Sequence, residues 1–396
     1  MLATISRILA GSLISAGIHL YVWHRLVRRA QLPRPWHRVV TIAMIALFFA
    51  VPITTWSRNT WPELSATVGW VSLPWMALVG LTFVALVVLD VVTLGVRLAR
   101  RAVARPAPEV SLARRTFLAR LTGGTALAVG STSMARGMAS ARGTHEVVDV
   151  EIVLAKLPHA LDGFTIVQLS DLHIGLTIDR EFVQRVVDRT NALAPDLVAL
   201  TGDLVDGKVE DLRDDFAPLG DLRAKHGVFA VTGNHEYYSG VDPWIDELHR
   251  LGARYLRNER VTIAEAVGGG FELAGVDDHG AAGYPGHGED LARATAGRDP
   301  GRALVLLAHQ PRQVHRAKQH GVDLQLSGHT HGGQIWPWHY IVKLQQGGLL
   351  AGRYQFNGTQ LYVTRGCGYW GPPVRLFAPL EITRVTLRSG RRGDLS

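Results

Sequence analysis

The sequence has a single cysteine, Cys367, in 396 residues. One thiol closes no intrachain disulfide and builds no cysteine-based zinc site. It reads as a small residue filling a packed position and leaves the redox compartment open. Acidic residues are scarce in the first third. Residues 1–145 hold 3 Asp+Glu against 16 Lys+Arg, whereas residues 146–396 hold 31 against 26. The formal net charge of +8 is therefore carried by the N-terminal third alone. Its arginines sit between long apolar runs, the pattern of a membrane protein, and no nucleic-acid partner is expected from them. There is no internal repeat and no long low-complexity segment.

Charge is missing altogether from three stretches. Ile8–His24 lies between Arg7 and Arg25, Val39–Ser57 is equally uncharged, and Leu64–Leu89 ends at Asp90. Each is near or above the roughly 20 residues that cross a bilayer. A fourth stretch, Leu121–Ala135, is shorter, rich in small residues, and a marginal span between Arg120 and Arg136. The segment after the first span carries Arg25, Arg28, Arg29, Arg34 and Arg38. The segment after the third carries Arg97, Arg100, Arg101, Arg105, Arg114, Arg115 and Arg120, but the intervening one has only Arg58 and Glu63. Arginine-rich loops stay in the cytoplasm. The expected order is N-terminus out, first loop in, second loop out, third loop in. If the fourth stretch crosses, the rest of the chain lies outside the cytoplasm; if it does not, the rest is cytoplasmic. Arg114-Arg115-Thr116-Phe117-Leu118 resembles a twin-arginine export signal, although its flanking positions are Ala113 and Ala119. Ala139-Ser140-Ala141 has the look of a small-residue cleavage site. Residues 1–145 thus read as a membrane region of three to four transmembrane helices, and 146–396 as a separate domain.

From residue 146 the texture changes. Short apolar runs at Val147–Val153, Phe164–Leu169, Leu197–Leu200, Val228–Val231, Phe271–Val276, Ala303–Leu307 and Val322–Leu326 read as strands. Leu361–Thr364 and Leu380–Leu387 follow as two more. Helical periods occupy Arg180–Ala194, Pro243–Leu251 and Pro311–His320. Strands alternating with helices predict an α/β fold.

Five of these strands end in polar clusters. They are Ser170-Asp171-Leu172-His173, Thr201-Gly202-Asp203, Thr232-Gly233-Asn234-His235-Glu236, Ala308-His309 and Ser327-Gly328-His329-Thr330-His331. Open α/β sheets gather their ligands at the carboxyl ends of strands. Carboxylate and imidazole together suit Zn, Fe, Mn or Ni, and the absence of thiolate argues against a structural zinc site. Asp203 is the natural bridge between two cations. A pair of ions about 3.5–4 Å apart clamps both oxygens of an in-line phosphoryl displacement and generates hydroxide near neutral pH.

The ordered set Asp171-x-His173, Gly202-Asp203, Gly233-Asn234-His235-Glu236, His309 and Gly328-His329-Thr330-His331 resembles the calcineurin-like metallophosphoesterase superfamily, over about residues 150–387. His329-Thr330-His331-Gly332-Gly333-Gln334, together with Gly-Asn-His-Glu, is similar to the membrane-associated bacterial YkuE/YaeI-type branch. The resemblance implies a four-layer α/β/β/α sandwich and two divalent ions, Mn, Fe or Zn. It implies that Asp171, His173 and His331 hold one ion and that Asn234, His309 and His329 hold the other, with Asp203 shared. His235 would stabilise the phosphoryl oxygens and protonate the leaving group, and Glu236 would orient His235. No ligand position departs from the pattern.

The expected activity is hydrolysis of a phosphoester, first a phosphodiester, in a phosphorylated lipid, envelope or small-molecule substrate beside the bilayer. The resemblance also includes relatives that cleave the pyrophosphate of a nucleotide-linked lipid A precursor, which would favour a cytoplasmic site. A sensor or assembly factor keeping only the fold would be expected to lack ligands. Gln334 and Arg353 are candidate phosphate or headgroup contacts, and His279 could line the pocket. His226, His249, His315 and His320 read as surface residues. The aromatic run Ile335-Trp336-Pro337-Trp338-His339-Tyr340, with Tyr369-Trp370, packs around the site or forms an apolar lip at a membrane interface.

Overall fold

The computed structural model describes residues 2–57, 60–103 and 111–390. Arg58 and Arg105, which entered the loop-charge argument, lie outside the described residues. The chain divides into two compact units, Met1–Ala139 and Ser140–Ser396.

The first unit is helical: α1 Leu2–Trp23, α2 Arg34–Ser57, α3 Pro62–Ala102 and most of α4, Leu112–Ala141. The four helices fall on the four apolar stretches. Among the described residues, Arg34–Ser57 and Glu63–Ala102 are long and apolar enough to cross a membrane. Val22, Met44, Val79, Leu86 and Ala126 pack inside the unit, while many large apolar side chains point outward, including Leu13, Ile42, Phe49 and Val91. Several polar groups within the unit pair with one another across helices. Asp90 receives the Tyr21 hydroxyl at 2.5 Å and pairs with the Arg25 guanidinium. Thr54 and Ser72 hydroxyls meet at 2.8 Å. Gly130 lets α4 approach α3 closely, since a Cβ there would sit 2.4 Å from Thr82 Oγ1.

Among the described residues, the second unit contains twelve strands in two sheets. They are β1 Glu146–Leu154, β2 Phe164–Leu169, β3 Leu197–Leu200, β4 Val228–Ala230, β5 Arg254–Tyr255 and β6 Glu259–Ile263. The series continues with β7 Phe271–Gly275, β8 Leu304–Leu307, β9 Leu324–Ser327, β10 Gly352–Phe356, β11 Thr359–Val363 and β12 Glu381–Ser389. One sheet has the order β1-β12-β2-β3-β4-β5, the other β10-β11-β9-β8-β7-β6. β2 to β5 are mutually parallel, as are β7, β8, β9 and β11. Helices α5 Arg180–Ala192, α6 Val209–Phe216, α7 Asn234–Ser239, α8 Val241–Arg250, α9 Leu291–Thr295, α10 Val314–Ala317 and α11 His339–Gln345 connect them.

Strand periodicity accounts for the layering. In β2, Ile166 faces the second sheet, whereas Val167 and Leu169 face α5. In β3, Leu197 and Ala199 point inward between the sheets, and Val198 and Leu200 point out to the helices. β8 does the same from the other side: Val305 and Leu307 meet the first sheet, Leu304 and Leu306 meet α9 and α10. Strands apolar on both faces must be covered on both faces. The result is helix, sheet, sheet, helix. The expected α/β/β/α sandwich is thus the observed one.

Boundaries shift by a residue or two. The segment Pro311–His320, expected as one helix, is a helical turn at Val314–Ala317 flanked by tighter 3₁₀ turns. Gly321, at φ +67, ends it.

Candidate metal centre

The polar clusters converge because their strands run the same way. β2, β3 and β4 deliver Asp171, His173, Asp203, Asn234 and His235 from the first sheet. β8 and β9 deliver His309, His329 and His331 from the second. Two glycines let the loops meet. A Cβ on Gly233 would lie 2.3 Å from Asp203 Oδ1, and one on Gly328 would lie 2.0 Å from Ser170 Oγ. Asp171, His173, Asp203, His329 and His331 all have φ between +51 and +73. Left-handed backbone is costly for such residues and concentrates at functional sites.

Three overlapping groups of potential metal donors result: Asp171, His173 and His331; His173, Asp203 and His235; Asp203, His309 and His329. Asp171 accepts the backbone N–H of His329 at 2.9 Å, joining the two sheets. His173 Nε2 is 3.0 Å from His331 Nε2, with the rings stacked. His173 Nε2 is 3.9 Å and His309 Nε2 3.0 Å from Asp203 Oδ2. His329 Nδ1 lies 3.2 Å from His309 Nε2. Asp171 and His309 are fully buried, and Asp203, His173 and His331 nearly so.

This arrangement fits a cation. His309 Nδ1 lies 2.8 Å from the Thr201 carbonyl, which can only accept, so Nδ1 carries the proton. A neutral His309 then aims its Nε2 lone pair at the Asp203 carboxylate, and that contact calls for positive charge between them. Burial opposes a proton on His309, but the Asp203 carboxylate outweighs it and holds the pKa well above the usual value. Asn234 Oδ1 is buried without a hydrogen-bond partner, a costly state for an amide oxygen unless something electropositive meets it. Burial and the neighbouring His309 push His329 down to about 3, and burial and His173 push His331 well below the usual range. Neutral imidazole is the form that binds metal.

His235 sits beside this cluster. Its backbone N–H donates to Asp203 Oδ1 at 2.8 Å, and its Nδ1 lies 2.5 Å from Asp206 Oδ1. Burial would lower its pKa, but Asp203 and Asp206 together raise it to about 9. Burial would raise the Asp206 carboxyl, but His173 and His235 hold it well below the usual range. Tyr238 and Trp370 flank the imidazole at ring-centroid distances of 5.2 and 5.7 Å.

Glu236 does not orient His235. It is buried and accepts the backbone N–H groups of Asp203, Leu204 and Gly233 at 3.0, 2.6 and 2.6 Å. It is bound to the loop backbone, so its carboxylate has no reach to the imidazole of its neighbour. Asp206 takes that part. The one signal for it in the sequence is an acid three residues past Asp203, in Asp203-Leu204-Val205-Asp206. Arg375 was also missed: fully buried, it donates to the His331 carbonyl and lies 3.2 Å from His331 Nδ1.

Gln334 is spoken for structurally, since its side chain clasps Trp370 by accepting from its N–H and donating to its carbonyl, both at 2.9 Å. Arg353 lies on the exposed side of β10, with β11 between it and β9. His279 is half-exposed and 3.5 Å from Glu289. His249 and His315 are exposed, whereas His226 and His320 are half-buried.

Comparison with known proteins agrees with this geometry. The family model for calcineurin-like phosphoesterases matches residues 164–333, from β2 to the turn after His331. A transmembrane protein with a metallophosphoesterase domain from Danio rerio is 34% identical over 93% of this chain and 86% of its own length. A metallophosphoesterase of Helicobacter pylori is 40% identical, covering 64% of this chain and 66% of the relative. The metallophosphoesterase YkuE of Bacillus subtilis is 33% identical, covering 70% of this chain and 98% of the relative. The chain belongs to the calcineurin-like metallophosphoesterase superfamily, in its membrane-associated YkuE-type branch.

Proposed function

We propose that this protein is a membrane-tethered phosphoester hydrolase that uses two divalent ions, with phosphodiester bonds of lipid or envelope molecules as its first substrate class. One observation carries the reading. Two three-residue donor sets, Asp171/His173/His331 and Asp203/His309/His329, lie side by side with Asp203 between them and His235 adjacent. In this reading Asn234 completes the second set, and its unpartnered Oδ1 is the supporting observation. Two divalent ions, when bound, supply Lewis acidity toward phosphoryl oxygen and acidify a bound water.

The chain's own residues do the rest. His235, held by Asp206, donates a hydrogen bond to a phosphoryl oxygen and a proton to the leaving alkoxide. Tyr238 and Trp370 flank His235 and bound the leaving-group side. Glu236 fixes the loop that carries Asp203. Manganese, iron and zinc all suit such a donor set, and availability selects among them. On the arginine distribution, the catalytic unit lies outside the cytoplasm if α4 crosses the bilayer, and inside if it does not.

The test is metal content together with hydrolysis of an aryl phosphodiester by the full chain. Asp203→Asn is expected to lose both bound metal and activity. His235→Ala is expected to keep metal and lose about 10²–10⁴ in kcat, the usual worth of a positioned acid. Full activity in both variants would defeat the mechanism.

A further inference from the structure

The loops that carry the metal donors also carry an uncovered apolar rim. Helix α11 has no buried residue. Tyr340 is 64%, Ile341 53% and Leu344 82% exposed. Their spacing places all three on one face of the helix. Phe377 is 78% exposed and is held at φ +63. A bulky residue pays for that conformation, and here the strain presents an aromatic ring to the outside. Trp336 and Trp370 are exposed too.

Hydrogen bonds join these side chains into one structure. The turn at His331–Gly333 runs directly into Gln334. The Leu376 N–H donates to the Gln334 carbonyl at 2.8 Å, and the Trp336 N–H donates to the Leu376 carbonyl at 3.2 Å. This sets Phe377 beside Trp336. The Gln334 side chain holds Trp370, whose ring flanks His235. The rim therefore adjoins the site through Trp370, while α11 and Phe377 lie outside it. Contiguous exposed apolar surface of this kind marks an interaction face.

Charge identifies the occupant. No Asp or Glu occurs from His329 to Leu380, although residues 146–396 as a whole carry 31 acids against 26 bases. Lys343 lies on α11 between Ile341 and Leu344, and it is exposed. Protein–protein interface cores are depleted in lysine. Trp, Tyr and aliphatic side chains with lysine and no carboxylate form the composition of an anchor in an anionic bilayer interface. The same chain carries two helices apolar and long enough to cross a bilayer, which keeps that surface at high local concentration.

We propose that the rim of Trp336, Tyr340, Ile341, Leu344, Trp370 and Phe377 docks into the bilayer interface, so that the phosphoester reaching the metal centre is one borne on a membrane lipid. The substrate half rests on the hydrolase reading above; the docking half does not.

The test uses the full chain in vesicles of phosphatidylglycerol and phosphatidylcholine. Cys367 is buried, so Leu344→Cys can be labelled selectively with an environment-sensitive dye. A blue shift and quenching by spin-labelled lipid are expected at Leu344→Cys, and neither is expected at Glu210→Cys on α6. A dye at position 344 left unquenched in vesicles overturns the docking. So does a shift that appears in detergent without lipid and grows with protein concentration, which would make the rim a contact between copies. In a second arm, Ile341→Ser, Leu344→Ser and Phe377→Ser are combined. Hydrolysis of headgroup-labelled phospholipid is expected to fall at least ten-fold while that of a soluble aryl phosphodiester stays within two-fold. Equal losses on both substrates overturn the proposal. A parent chain that cleaves the soluble ester but no lipid overturns its substrate half. A parent chain that cleaves neither defeats the hydrolase reading, with the quenching result standing by itself.

Discussion

At the scale of single residues, the chemistry depends on side chains that hold other side chains. Asp206 Oδ1 lies 2.5 Å from His235 Nδ1 and aligns this candidate acid, while its 3.3 Å approach to His173 Nδ1 is an electrostatic contact without hydrogen-bond geometry. Asp206→Asn keeps the shape and removes the charge. Loss of such a partner costs about 10–100-fold in activity or metal affinity. We expect kcat on an aryl phosphodiester to fall by that factor with bound metal retained, read by turnover and metal analysis on one preparation.

His145 offers a pH test away from the metal donors. Burial lowers its pKa from 6.5 to about 4, against the partial rescue of a 2.8 Å hydrogen bond to the Cys367 carbonyl. The folded state thus binds fewer protons than the unfolded chain between those values. Its contribution to stability is complete above pH 6.5 and is lost as pH falls toward 4. The shift corresponds to about 3 kcal/mol in all. Denaturation midpoints of the parent should fall more steeply through that window than those of His145→Asn; parallel curves would refute the assignment.

At the scale of elements, α8 connects the outer helical layer to the site. Trp244 is almost fully buried, packs its ring 4.7 Å from Phe216, and donates its indole N–H to the Gly207 carbonyl at 2.9 Å. Trp244→Ala is expected to cost about 3–5 kcal/mol, seen as a lower denaturation midpoint. Because Gly207 follows Asp206, a lower kcat should accompany it.

What the sequence revealed at this scale follows from physics. β2, β3, β8 and β9 were legible because apolar runs covered on both faces end abruptly in charged or imidazole side chains. α5 was legible from its 3.6-residue period, and the structure adds its cap, Asp179, which accepts the Phe182 N–H. β5 and β6 were not, because Arg254–Tyr255 is only two residues long and Glu259–Ile263 is half-polar at the sheet edge. α7 was hidden because it begins at Asn234, within a loop whose pattern is set by chemistry and not by helix propensity. Asp206 and Arg375 were hidden for a related reason. Each matters through what it touches, and one acid or one arginine in a loop carries no periodic signal.

At the scale of the whole molecule, an arginine-rich apolar unit accompanies a net-acidic sandwich. The arginine alternation predicts alternating sidedness. Reporter fusions after residues 30, 60, 105 and 150 are expected to read cytoplasmic, external and cytoplasmic at the first three, and external at the last if α4 crosses. A cytoplasmic signal at the last position would move the chemistry to the other face of the membrane and remove the external substrate pool from consideration.

The donor sets draw on both sheets at once. Acids and the Asn234 amide hang from β2, β3 and β4, whereas three of the imidazoles hang from β8 and β9. The layer between the sheets is largely aliphatic and aromatic, and few directional bonds cross it, among them the His329 N–H to Asp171. Asp171, Asp203, Asn234 and the imidazoles of His309, His329 and His331 would hold an ion from both sides, and such an ion would link separation of the sheets to its own release. Ligands that bind only the folded state add their binding free energy to its stability. For this chain, removal of a bound metal would then lower the denaturation midpoint of the whole sandwich and not only abolish turnover.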